Sequence, residues 1–325
     1  MDQILRQPHA KADHSWFALA PTVCANPLQF GPASDMSHFA DSGMERWRRR
    51  YWRPDPLALA AFEGLKPFTV VTGASEGIGL ALARRCAGSG HALLLIARDA
   101  ARLEAAATAL RVETNAKIEI LALDVTTADA LAKLDAALAR VGAYPDILVN
   151  NAGGGLSGAF ASHDTDALAA LAELNVKAVT LFSRHVLPGQ LIRGRGGIIT
   201  IASLGGYAPG PGQAAYYASK AYVLSLSEAL AAETAGHGVR VTAVAPGPVD
   251  TAFHSKMGAN SALYRSLLPP LSADRVAAAA IAGFKWNRRV IVPGLVNKLL
   301  MMALRLLPHR ITLPIVQFLL HRRGP

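Results

Sequence analysis

The chain has 325 residues, 51% hydrophobic and 6% aromatic, with two cysteines, Cys24 and Cys86; this supplies one large core or two modest ones, excludes a disulfide framework, and makes a reducing, cytoplasmic compartment the expectation. The formal net charge of +10 is concentrated at one end, because nine basic residues and no acidic one follow Asp274. Such a tail suits an anionic surface such as membrane lipid or nucleic acid, although no recognised nucleic-acid reading motif accompanies it, and no run of about 18 apolar residues exists to span a bilayer.

Residues 1–43 show no sustained period and read as weakly ordered, without the apolar core of a secretory signal or the composition of a transit peptide. Met36 and Met44 offer alternative starts. The aromatic and basic "ERWRRRYWRP", residues 45–54, reads as a solvated arm on the domain edge or as a membrane-interface contact. From Pro67 a regular alternation begins. "FTVVTG" predicts a strand, "GIGLALARRCAGSG" a helix stopped by Gly88 and Gly90, "HALLLIAR" a buried strand, and "DAARLEAAATALRVET" a helix capped by Asp99. "KIEILALDV", "ADALAKLDAALARVG" and "DILVNNAG" continue as strand, helix and strand. Helices over 164–190, the strand "GIITIAS", a helix over 213–235, the strand "VRVTAVAPG", a helix over 272–284 and the strand "RVIVPG" follow. The expected fold is therefore α/β: a doubly wound Rossmann-type domain, residues 65–294, with about seven mostly parallel strands and helices on both faces. An N-terminal extension, residues 1–64, precedes it, and a basic amphipathic helical tail, residues 295–325, follows it.

"TGASEGIG", Thr72–Gly79, joins the first strand to the first helix. Gly73, Gly77 and Gly79 let the backbone turn tightly toward a pyrophosphate, and the helix start offers free N–H groups. The second strand ends in Arg98. With Asp99 committed to the helix cap, Arg98 is the expected ligand of a 2′-phosphate, which favours NADP(H) over NAD(H). Farther along, "GQAAYYASKAYVLSLSEAL" holds Tyr216, Tyr217 and Tyr222 around Lys220. On a helix Tyr216 meets Lys220 at i,i+4 and Tyr217 approaches it at i,i+3, whereas Tyr222 at i+2 does not face it. An ammonium beside a phenol is expected to lower its pKa from about 10. No Cys/His cluster is present, so no metal is expected, and His91, His163, His185 and His237 read as ordinary surface or strand-end residues.

Taken in order, these segments resemble the short-chain dehydrogenase/reductase family over Pro67 to about Gly294. Thr72-Gly73-Ala74-Ser75-Glu76-Gly77-Ile78-Gly79 is similar to its cofactor loop, Asp124-Val125 to its adenine contact, and Asn150-Asn151-Ala152-Gly153 to its NNAG segment. Asn175 falls at its helix asparagine, Ser203 at its strand-end serine, and Tyr216-x-x-x-Lys220 at its Tyr/Lys pair. Pro246-Gly247, with Val249 and Thr251, falls at the nicotinamide end. The thirteen-residue spacing from Ser203, with the family pattern, selects Tyr216; Tyr217 and Tyr222 are then expected to be packing residues. The resemblance implies carbonyl–alcohol interconversion with Tyr216 as acid/base, Ser203 holding the substrate oxygen, Lys220 on the nicotinamide ribose and Asn175 supporting a proton-return chain. It also implies a dimer or tetramer.

Two segments bear on the substrate. Residues 248–274, where the family carries its lid, present Phe253, Met257, Leu263, Tyr264, Leu267 and Leu268, and an apolar carbonyl or alcohol is the expected substrate. A 3-oxoacyl thioester is the alternative, and an NADP-binding regulatory protein without turnover is another. The "GGYAPGPG" loop, residues 205–212, adds Tyr207. In the tail, Pro308 and Pro314 are expected to break the chain into short amphipathic helices, the second ending in His321-Arg322-Arg323. Peripheral membrane contact, packing in an oligomer, and a gate over an apolar substrate are all open readings of it.

Overall fold

The computed structural model describes residues 56–259, 263–264 and 268–320. The expectations for residues 1–55, Leu267 and His321-Arg322-Arg323 fall outside the described residues.

A short helix, α1 (Pro56–Ala60), precedes the alternating units. Then follow β1 (Lys66–Thr72), α2 (Gly77–Gly88), β2 (Ala92–Ala97), α3 (Ala100–Thr114), β3 (Ile118–Ala122), α4 (Ala130–Arg140) and β4 (Ala143–Asn150). The second half runs α5 (Thr165–Ala172), α6 (Val179–Arg193), β5 (Gly197–Ile201), α7 (Ala214–Glu233), β6 (Arg240–Val244), β7 (Val249–Asp250), α8 (Phe253–Lys256) and β8 (Leu271–Ser272). It ends with α9 (Ala273–Lys285), β9 (Val290–Ile291), α10 (Leu295–Leu306) and α11 (His309–Leu320). Seven strands form one parallel sheet in the order β3-β2-β1-β4-β5-β6-β9. Growth of the sheet reverses direction between β1 and β4, which opens a crevice at the carboxyl ends of these strands.

The sheet is parallel because its central strands β1, β2, β4, β5 and β6 are buried on both faces and the connections are long enough for a helix. One face is covered by α2, α3 and α9 through residues such as Leu82, Leu103 and Val276. The other is covered by α4, α6 and α7 through Leu134, Phe182 and Ala231. Leu95 and Leu148 are fully buried between these layers, and Leu148→Ala is expected to cost about 2–5 kcal/mol. Asp99 caps α3 as expected, its carboxylate accepting from the Arg102 amide at 3.0 Å.

Several local features depart from the sequence reading. β4 begins before "DILVNN" and contains Pro145; the register with β1 shifts between Phe68 and Thr69, leaving Asp146 as the extra residue. A π-helical turn, Glu173–Ala178, joins α5 to α6 and carries Asn175. The two-residue pair β7–β8 was too short to show a period. Pro308 does separate α10 from α11, but Pro314 does not break the tail again: it sits inside α11, removing one donor without ending the helix. His185 is not a surface residue; its side chain is 5% exposed and its Nε2 lies 2.7 Å from Asp135 Oδ1. Among the described residues no helix is long and apolar enough to cross a membrane.

Candidate active site

A cleft of 1160 Å³ opens at the crevice between β1 and β4. That volume is large for a single small ligand and suits a dinucleotide plus a substrate.

Its cofactor side is a backbone cradle. Gly73 and Gly77 hold φ of +64° and +58°, a region that L residues rarely adopt, so the turn requires glycine there. A Cβ on Gly79 would lie 2.2 Å from Gly73 O, so glycine lets the helix start pack directly against the loop. Thr72 Oγ1 donates to Val149 O at 3.1 Å and accepts from the amides of Asn151 and Ala152, each at 3.0 Å. Asn151 Nδ2 donates to Thr72 O and Gly73 O, both at 2.9 Å. The glycine loop is thereby stitched to the end of β4, and the Asn151 side chain shapes the cradle from within. These features fit a pyrophosphate at the start of α2.

Farther along the cleft, Arg98 stands at the end of β2. Its side chain is 77% exposed and makes a long ion pair with Asp124, 3.8 Å. Asp124 is otherwise held by Thr126; burial acts to raise its pKa, but the Thr126 bonds and Arg98 outweigh this and the carboxyl is lowered. Arg102, which the sequence reading overlooked, lines the cleft beside Arg98 and reaches Glu76 at 3.6 Å and Asp99 at 3.3 Å. Its signal was available, because it is the third residue after the Asp99 cap. Glu76 also pairs with Lys256.

At the opposite end Tyr216, Lys220 and Ser203 line the cleft together. Lys220 Nζ donates to Ile201 O at 2.9 Å and lies 5.8 Å from the Tyr216 ring centroid. Ser203 starts the tight turn after β5, with its hydroxyl accepting from the Gly205 amide at 3.1 Å. The expected lowering of the Tyr216 pKa is corrected by the structure. Burial pushes the phenol up to about 12, with the Ser203 hydroxyl acting in the opposite direction. Burial also pulls Lys220 down to about 8. Desolvation prevails because the Lys220 ammonium is directed at the Ile201 carbonyl.

Of the other expected residues, Ser75, Glu76, Gly77, Ile78, Val125, Ala152, Gly153, Pro246, Gly247, Val249 and Thr251 all line the cleft. Gly79 and Asn175 do not; they stand behind it. Asn175 is 1% exposed, and its amide is spent on Gly154 N and O, at 2.9 Å each, and on Ser219 Oγ at 3.0 Å. Ser219 in turn donates to Tyr216 O at 2.7 Å. Asn175 thus braces both the segment after β4 and the helix that carries Tyr216. A Cβ on Gly153 would come 3.3 Å from Asn175 Oδ1 and 3.5 Å from Lys220 Nζ, which shows how closely the three converge.

Tyr217 does pack, edge-on to Tyr216 at 6.0 Å, but it also lines the cleft. Tyr222 does not pack: it is 39% exposed, and its hydroxyl is 2.8 Å from Thr180 Oγ1. The Tyr216 end of the cleft is walled by Tyr217, Phe253, Tyr264 and Leu268, and by Leu304, Ile315, Val316 and Leu319 from the two tail helices. Gln213, three residues before Tyr216, also lines it; the residue is 4% exposed and Nε2 has no hydrogen-bond partner. A buried amide donor of this kind calls for an acceptor, supplied by a water or a ligand in the cleft. Asn297 in the first turn of α10 sits against the Pro246-Gly247 turn, where a Cβ on Gly247 would lie 2.3 Å from Asn297 Oδ1.

The profile of the short chain dehydrogenase family matches residues 67–262. An uncharacterized oxidoreductase of Staphylococcus saprophyticus is 38% identical over 182 residues, 56% of this chain and 78% of the relative. Among solved structures, a short-chain dehydrogenase from Sphingobium yanoikuyae in complex with NADPH is 37% identical with a TM-score of 0.65, covering 71% of this chain and 89% of that one. The bulky-bulky ketone specific alcohol dehydrogenase from Comamonas testosteroni is 34% identical with a TM-score of 0.62, covering 71% and 87%.

Proposed function

Because the chain belongs to the short-chain dehydrogenase family and is an NAD(P)-dependent oxidoreductase of it, we propose that it uses NADP(H) to interconvert a bulky apolar ketone and its secondary alcohol, with Tyr216 as acid/base. The observation that carries this reading is the convergence of Tyr216, Lys220 and Ser203 on the end of a cleft whose other end is a glycine cradle.

When bound, the nicotinamide supplies or accepts the hydride at the substrate carbon. The chain's own groups handle the oxygen. Ser203 donates a hydrogen bond to the carbonyl oxygen and fixes it beside Tyr216. The phenol, kept protonated by burial, gives its proton to that oxygen as the carbon is reduced, so C=O becomes CH–OH. Lys220 sits on the next turn of the same helix and is held by Ile201 O, placed to reach a ribose hydroxyl and to restore the tyrosine's proton. Asn175 acts through its bonds to Gly154 and Ser219 as a positioning residue.

Three features support NADP(H). Arg98 and Arg102 offer two guanidinium groups at the end of β2. The Asp99 carboxylate there is spent on the helix cap and on Arg102. The Sphingobium relative was solved with NADPH. The apolar wall, with a relative specific for bulky-bulky ketones, supports the substrate class. A dimer or tetramer is part of the same reading, and light scattering tests it. The function is tested with a panel of bulky ketones, 3-oxoacyl thioesters and secondary alcohols, read by nicotinamide absorbance with each cofactor. Bulky ketones with NADPH are expected to turn over fastest. Equal use of NADH and NADPH, with Arg98→Ala changing neither, would remove the NADP assignment.

A further inference from the structure

Sixteen large hydrophobic side chains are exposed among the described residues, and ten of them lie between Leu295 and Phe318. They are therefore a patch belonging to the two tail helices. Helix α10 turns Asn297, Leu300, Met301 and Leu304 inward, and at 100° per residue these share one face. On the opposite face a second stripe runs Leu295, Leu299, Met302 and Leu306 at intervals of four, three and four, each at least half exposed. One stripe suffices to pack a helix on a protein, so the second has no use within the described fold. Helix α11 repeats the pattern. Thr312, Val316 and Leu320 are buried, while Ile311, Ile315 and Phe318 are exposed. Ile315 also lines the cleft, so this stripe runs to the cleft's mouth.

The charged residues of the pair are all basic. Lys298, Arg305 and Arg310 are exposed on it, and no acidic residue occurs beyond Asp274. A second copy of this chain is a poor occupant, because a two-fold contact would set these basic residues against themselves. Each helix has twelve residues, about 18 Å, against a hydrocarbon core of about 30 Å. The helices can lie in a bilayer surface but cannot cross it.

We propose that α10 and α11 dock the protein on an anionic phospholipid bilayer, with the two exposed stripes at the acyl boundary and Lys298, Arg305 and Arg310 among the headgroups. Docking places the mouth of the cleft at the membrane surface. Resting on the proposed function, an apolar ketone dissolved in lipid then enters along Ile315 and Leu319 without crossing water.

The test uses the full chain and vesicles of phosphatidylcholine with or without about a third phosphatidylserine, read by sedimentation. Binding is expected only to the anionic vesicles and is weakened by salt. Replacing Lys298 and Arg310 by Gln should weaken it on the order of thirtyfold, about fivefold per charge. Leu299→Ser with Met302→Ser and Phe318→Ser, all exposed, should abolish it while circular dichroism stays unchanged. Failure of the folded wild-type chain to bind anionic vesicles overturns the proposal. So does equal binding to neutral vesicles, or a stable dimer that the triple serine variant dissociates while vesicle binding is absent. Sedimentation reads docking whether or not the protein turns over any ketone, so its failure is distinct from failure of the proposed function. With vesicle-dissolved ketone the Lys298/Arg310 variant should lose rate while keeping it on a water-soluble ketone without vesicles; equal loss on both contradicts delivery from lipid.

Discussion

The two ends of the cleft are made differently. The cofactor end is backbone: two glycines at positive φ, a third without room for a Cβ, and Thr72 and Asn151 tying two chain segments within 3.1 Å. The substrate end is side chains gathered from distant segments, with Tyr217, Phe253, Leu304 and Leu319 contributed by four different helices. The first can tolerate almost no change of residue type, while the second tolerates many apolar choices of similar volume. On the proposed function, cofactor use is therefore fixed rigidly and substrate choice loosely.

Substitutions can break or sharpen that contrast. Gly79→Val, forced against Gly73 O, should weaken NADPH binding about a hundredfold in a fluorescence titration. Gly88→Ala, at the other end of α2 with nothing within 4 Å of a Cβ, should leave it unchanged. If both bind alike, the cradle is not rigid.

Lys220 tests the junction of the two ends through pH. Its pKa in the folded protein is lowered to about 8, below the unfolded value, so the cost of burying its charge is full below about pH 8 and is relieved as pH rises toward 10.5. The wild type should gain on the order of 2 kcal/mol relative to Lys220→Met between about pH 7.5 and 9.5, by denaturant titration. No change in that difference would mean the lysine is not desolvated. Next in size, Arg98→Ala with Arg102→Ala should raise the NADPH KM about tenfold and leave the NADH KM within about twofold. Smallest, Val316→Ala with Leu319→Ala should raise KM for a bulky ketone about threefold to fivefold with little effect on kcat, as removal of uniform apolar binding requires. A collapse of kcat instead would make the tail wall part of the chemistry.

The same contrast governs what the sequence revealed. The parallel sheet, the Asp99 cap and the glycine cradle follow from local patterns, since periodicity and glycine placement act over a few residues. Tyr216 needed the spacing from Ser203, because helical geometry left Tyr217 open. What stayed hidden depends on long-range packing. Asn175 and Gly79 carry the right motif yet stand behind the cleft, braced on backbone rather than facing a ligand. The Tyr216 pKa was read from a neighbouring charge, whereas its direction is set by burial, which no spacing reports. Gln213 has no motif of its own, Arg102 is marked only by its place after the Asp99 cap, and which open reading of the tail holds for the leucines of α10 and α11 depends on how the fold brings them to the cleft.

The proposed chemistry turns on delivery of the Tyr216 proton within an assembled cofactor site. Single-turnover reduction of a bulky ketone by the chain preloaded with NADPH tests it directly, comparing wild type with Tyr216→Phe. The variant should bind NADPH within about twofold of wild type and reduce the ketone about a thousandfold more slowly. Unchanged reduction by Tyr216→Phe would contradict the account.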